Sequence, residues 1–140
     1  MLVLDTNHLT ELERGQAGKG MQLMQRLHDF PADSATTVIT VEEQLAGRIA
    51  QIRSHRELHD QLVFYRRLQD HVEFFASWVI LPFDAGAADL VLKFRSQGIR
   101  IGTLDLKIAA ITIAHDATLL TRNTVDFAKV PGLRFENWLD

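Results

Sequence analysis

The chain has 140 residues, 46% hydrophobic and 24% charged, which is enough to bury the core of one domain and unlike the makeup of a disordered or membrane-spanning chain. It has no cysteine, so disulfide frameworks and thiolate metal sites are excluded and any metal must use oxygen or nitrogen ligands. A formal net charge of -3 argues against a generally basic nucleic-acid module, although acids gathered in one pocket leave room for basic rims elsewhere.

Met1 leads straight into Leu2-Val3-Leu4-Asp5-Thr6-Asn7, and no apolar run approaches membrane-spanning length, so the expectation is a cytoplasmic protein. Three apolar residues before an acid read as a buried parallel strand that delivers Asp5 to the crevice where open α/β sheets bind ligands. Asp5 reads equally well as the N-cap of the next helix. The segment from His8 to Arg14 predicts a short helix ended by Gly15. After Gly18 to Gly20, a second helix carries Met21, Met24, Leu27 and His28 at helical spacing and stops before Pro31. Thr36 to Ile39, rich in β-branched residues, predicts a strand, with Thr40 as the following N-cap. Glu43 stands at the capping-box distance from Thr40, which offers it a structural role beside a catalytic one.

Val41, Leu45, Ile49 and Ile52 share a helical face, and after Ser54 a longer helix carries Leu58, Leu62, Tyr65, Leu68, Val72 and Phe75 as a core stripe, so an αα-hairpin is expected. Val63 and Phe74 fall on another side of that second helix, where they suggest a partner surface or a second packed side. Val79 to Leu81 predicts a strand, and Asp84 caps a helix through Leu90, Val91 and Phe94 to Gly98. Gly102 and Thr103 open a helix with Ile108, Ala109, Ile111, Thr112 and Ala114, and Asp105 in its first turn is favoured by the helix dipole. Thr118 to Thr121 predicts a strand, Arg122 to Asp126 a polar turn, and Leu133 to Phe135 a final edge strand.

Alternation of strands and helices implies a mainly parallel sheet with helices on both faces and the carboxyl ends of the strands on one rim. Asp5, Glu43, Asp105, Asn123 and Asp126 all follow strands or open helices, so that rim can collect them. Converging carboxylates repel one another and favour a cation, and an all-oxygen set suits Mg²⁺ or Mn²⁺, which can polarise a phosphodiester. Arg122 and Lys107, close to the acids in sequence, are the candidate phosphate contacts. His55 and His59 have a metal-compatible spacing without the zincin order, and neither a P-loop nor a nucleophile elbow is present.

The ordered set Leu4-Asp5-Thr6-Asn7, Val38 to Glu43 with Gly47, Ile101 to Asp105 with Ile108-Ala109-Ala110, and Leu120 to Asn123 with Asp126-Phe127 and Val130 to Leu133 resembles PIN-domain ribonucleases of the VapC toxin type nearly end to end. The resemblance implies one PIN domain over residues 1–140, a three-layer α/β fold around a mainly parallel sheet of about five strands. It implies that Asp5, Glu43 and Asp105 bind metal, and its spacing selects Glu43 over Glu42. Asn123 stands where many relatives carry Asp, which leaves Asp126 as the nearest acid for the fourth position, and Thr6 and Asn7 are placed to orient Asp5 or a water. The implied activity is Mg²⁺-dependent cleavage of RNA, with Mn²⁺ as a substitute, by the toxin of a toxin–antitoxin pair. The implied partners are RNA, a cognate antitoxin and a second copy of the chain. A PIN-fold protein that binds RNA without cutting it, or a DNA-directed nuclease, are the alternatives.

Overall fold

In the computed structural model, which describes residues 1–15 and 17–140, the strands are β1 (Leu2–Leu4), β2 (Ser34–Thr37), β3 (Ile80–Leu81), β4 (Thr118–Leu120) and β5 (Arg134–Glu136). They pair in parallel in the order β3-β2-β1-β4-β5. The chain moves outward from β1 to β3 and then returns to lay β4 on the other side of β1. This reversal makes the carboxyl ends of β1 and β4 a topological switch point, where open α/β sheets form their crevices. Leu4 is paired with Leu120, so Asp5 and Thr121 leave the sheet side by side.

Side chains alternate across the sheet. Val3, Ala35 and Leu119 face one core with Phe94, Ile108 and Ile111, whereas Leu2, Leu4 and Leu120 face another with Leu9, Leu23 and Phe75. The helices are α1 (Thr6–Arg14), α2 (Lys19–Asp29), α3 (Val38–Arg53), α4 (Leu58–Ala76), α5 (Ala85–Ser96), α6 (Thr103–Ala114) and α7 (Thr124–Phe127). The three layers are therefore those expected. Ala109 and Ala110 of α6 are fully buried, and their small side chains let the helix pack closely in the core. No helix among the described residues is long and apolar enough to cross a membrane.

Three local expectations are corrected. The strand expected at Thr36 to Ile39 is β2, ending at Thr37, and Thr37 rather than Thr40 caps α3: its hydroxyl accepts from the Thr40 amide at 3.1 Å. Val38 and Ile39 are β-branched yet helical, because burying Ile39 in the core outweighs a weak local propensity. The polar turn after Asn123 contains α7. In α2 the buried apolar residue is Leu23, and Met21 and Met24 are exposed.

The largest correction concerns α4. Its expected core residues Leu58, Leu62, Tyr65 and Val72 are 76%, 63%, 54% and 51% exposed. The buried residues are His71 and Phe75, and Phe74 packs inward against Phe75 and Trp78, so Val63 and Phe74 do not share one exposed face. His71 is not among the apolar residues of the expected stripe. In the fold its ring is satisfied by Arg48 Nε at 3.0 Å and Glu13 Oε2 at 3.0 Å, and that pairing decides which side of α4 turns inward.

Candidate active site

Asp5 caps α1, and its carboxylate also lies within range of Glu43 and Asp105. Its Oδ1 accepts from the Thr6 amide at 2.7 Å, and its Oδ2 accepts from the Thr121 hydroxyl at 3.0 Å. Thr121 Oγ1 in turn accepts from the Asn123 amide at 3.0 Å. These bonds lock both carboxylate oxygens in one orientation. Burial nevertheless raises the Asp5 pKa, against the lowering effect of the bonds from Thr6 and Thr121.

Glu43 reaches the same rim from α3. Because Thr37 and Thr40 complete the cap between themselves, with hydroxyls 3.2 Å apart, Glu43 is released from the capping-box role that its spacing suggested. It has no side-chain hydrogen bond or ion pair among the described residues. Its carboxyl is pushed up to about 6, first by burial and then by the charges of Asp5, Asp105 and Glu42. Glu42 is exposed, whereas Glu43 is half-buried.

Asp105, in the first turn of α6, is raised by burial and by the charges of Asp5 and Asp126, while a bond from Asn123 opposes the shift. Asn123 Nδ2 donates to Asp105 Oδ2 at 3.3 Å and to Asp126 Oδ2 at 3.1 Å. One amide thus bridges two acids, and the alternatives Asn123 and Asp126 become partners. The bond from Asn123 lowers the Asp126 pKa, as does Lys129, whose Nζ lies 3.4 Å from Asp126 Oδ1.

Of the other candidates, Thr6 has a buried hydroxyl without a partner among the described residues, and Asn7 is exposed. Arg122 pairs with Asp140, Nε to Oδ2 at 3.2 Å. Lys107 lies with its ammonium 5.5 Å from the centre of the Phe83 ring. Thr121 was missed as a site residue. Its signal was its place one step beyond a strand, but only the pairing of β4 with β1 shows which acid it meets.

Neighbouring acids raise the pKa of Glu43 and of Asp105, yet among the described residues no three Asp, Glu or His side chains close into a ready-made metal cage. An oxygen-rich rim of mutually repelling carboxylates fits a cation such as Mg²⁺, which keeps several waters and takes only one or two carboxylates directly.

The pattern of the PIN domain family matches residues 2–133. The chain belongs to the PIN-domain family. Among PIN relatives, VapC ribonuclease Y4jK of Sinorhizobium fredii is 31% identical over 137 residues, covering 91% of this chain and 90% of that protein. Ribonuclease VapC1 of Rickettsia felis is also 31% identical over 137 residues, covering 94% and 92%. Of solved PIN structures, VapBC2 from Rickettsia felis bound to a promoter DNA fragment aligns with a TM-score of 0.70 at 25% identity, covering 98% of each chain. FitAcB from Neisseria gonorrhoeae aligns with a TM-score of 0.69 at 28% identity, covering 99% and 98%.

Proposed function

We propose that this protein is a metal-dependent endoribonuclease, a single PIN domain over residues 1–140 that acts as the toxin of a toxin–antitoxin pair. The observation that carries the reading is the convergence of Asp5, Glu43 and Asp105, each with its pKa raised, at the switch point of the sheet. The full-length VapC ribonuclease relatives support RNA as substrate. Asp5, Glu43 and Asp105 would hold Mg²⁺, with Mn²⁺ as a substitute, and such a cation supplies Lewis-acid polarisation of the phosphodiester when bound. The chain's own part is orientation. Thr6 and Thr121 fix the oxygens of Asp5, and the Asn123 amide bridges Asp105 and Asp126 and orients both. The solved VapBC relative supports a cognate antitoxin as partner, and the exposed apolar residues of α3 and α4 support contacts with it or with a second copy of the chain.

The deciding experiment is incubation of purified protein with labelled RNA and single-stranded DNA in Mg²⁺, Mn²⁺ or EDTA. RNA should be cut in either metal and left intact in EDTA; metal-independent cutting, or cutting of DNA alone, overturns the reading. Thr121→Val tests orientation in the same assay. Loss of a bond that aims a metal-binding carboxylate typically costs about 10–100-fold, so kcat/KM should fall by that much while the protein stays folded. Unchanged kcat/KM would mean that Asp5 needs no help from Thr121.

A further inference from the structure

Glu43 borders a second feature besides the acid cluster. Beside it on α3 lies a cleft lined by Thr10, Glu43, Gln44, Gly47, Arg48 and Gln51. These are polar residues and one glycine, and Arg48 is the cation among them. Arg48 Nε donates to His71 Nδ1 at 3.0 Å, and Nη1 donates to Gln51 Oε1 at 3.3 Å. Because the guanidinium has only donors, His71 Nδ1 accepts, so in the neutral ring Nε2 carries the proton and points it at Glu13 Oε2, 3.0 Å away. The relay from α3 through α4 to α1 braces Arg48 from behind. No carboxylate among the described residues touches Arg48, and the two bonds leave three of the five N–H donors of the guanidinium without a protein partner.

Gly47 points the same way. It lies within α3, where glycine weakens a helix, yet a Cβ added there would meet nothing within 4 Å and its φ is not in the left-handed range. Neither packing nor backbone conformation calls for glycine, and its bareness keeps the cleft open one helical turn from Glu43. Arg48 follows about 7.5 Å along the helix axis from Glu43. An anionic strand approaching a rim of acids needs a cation beside them. Arg122 is already paired with Asp140, and Lys107 lies over Phe83.

We propose that this cleft is the subsite for the RNA strand next to the cut, in which Arg48 binds a backbone phosphate flanking the scissile one and Gly47 leaves room for the strand. The inference rests on the ribonuclease reading. It makes Arg48 a substrate-binding residue, with Glu13 and His71 as positioning residues behind it.

The test measures binding of a fluorescein-labelled single-stranded RNA in EDTA over a KCl series, together with cleavage kinetics in Mg²⁺. Arg48→Met should raise Kd and KM roughly tenfold with little change in kcat, and should reduce the slope of log Kd against log salt by about 0.7, the loss of one phosphate contact on a single strand. Arg48→Lys should recover part of the affinity. Gly47→Leu leaves the relay intact and should weaken RNA binding in a protein that melts no lower than wild type; if Arg48→Met fails to fold, Gly47→Leu decides by the same criterion. Wild-type affinity and salt slope in the folded variants would overturn the subsite while leaving the ribonuclease reading intact. Normal RNA binding with loss of antitoxin binding would overturn it too, by assigning the cleft to the protein partner. A wild-type protein that neither binds nor cuts RNA would overturn the ribonuclease reading and the subsite together.

Discussion

Asp5→Asn and Asp105→Asn should each lower RNA cleavage in Mg²⁺ on the order of 10³-fold, because each removes a charge worth several kcal/mol to cation and transition state while nearly preserving side-chain volume. Glu43→Gln should cost far more than Glu42→Gln, since Glu43 is half-buried within range of Asp5 and Asp105 and Glu42 is exposed. The same variants separate the two roles of Asp5. Burial raises its pKa, so the ionised form is disfavoured in the metal-free fold, and asparagine can still accept from the Thr6 amide. Metal-free Asp5→Asn should therefore melt at or above the wild-type temperature, and Mg²⁺ should raise the wild-type midpoint more than the variant's. Equal losses from the two glutamate substitutions would sink the assignment of Glu43. A marked fall in the metal-free midpoint of Asp5→Asn would mean that capping dominates its role.

The second large effect is on stability against pH and comes from His8, which has no exposed surface. Its Nε2 accepts from the Trp138 amide at 3.2 Å, so the neutral ring carries its proton on Nδ1, which has no partner among the described residues. Burial first, and then the positive charge of Arg122, push its pKa down to about 4, with Asp140 opposing. The ordinary value is 6.5. As pH falls below it, the unfolded chain takes up a proton that the folded chain refuses until about pH 4, so stability is lost across that window. The loss should be on the order of 2–3 kcal/mol. Asp5, Glu43 and Asp105 act with the opposite sign, because carboxyls raised by folding bind protons more readily in the folded state and favour it as pH falls. They are common to wild type and His8→Leu, so the difference between the two proteins isolates His8. Urea unfolding in EDTA should show His8→Leu clearly less stable at pH 7.5 and the gap closing towards pH 4. A gap independent of pH would show that His8 contributes packing and its hydrogen bond but no proton linkage.

The sequence by itself determined the order of strands and helices and the fact that acids follow strand ends. Those features are local: Leu2-Val3-Leu4 before Asp5, and Gly102-Thr103 opening the helix that carries Asp105, act through hydrophobic period and helix-start chemistry within a few residues. With right-handed crossovers, this local information was enough to place the acids on one rim. The family motifs added the choice of Glu43 over Glu42.

Tertiary structure decided everything that depends on a distant partner. Thr121 is tied to Asp5, 116 positions away, only because β4 pairs with β1 in one register. Glu43 lost its capping alternative because β2 ends at Thr37, and strand ends are set by pairing and core packing more than by β-branched composition. The apolar stripe of α4 was legible, but its direction was not. An amphipathic period shows that a helix has faces, whereas the face turned inward is the one whose partners are satisfied, here His71 between Arg48 and Glu13. That same long-range relay braces a cation beside the acids, and no spacing along the chain could have predicted it.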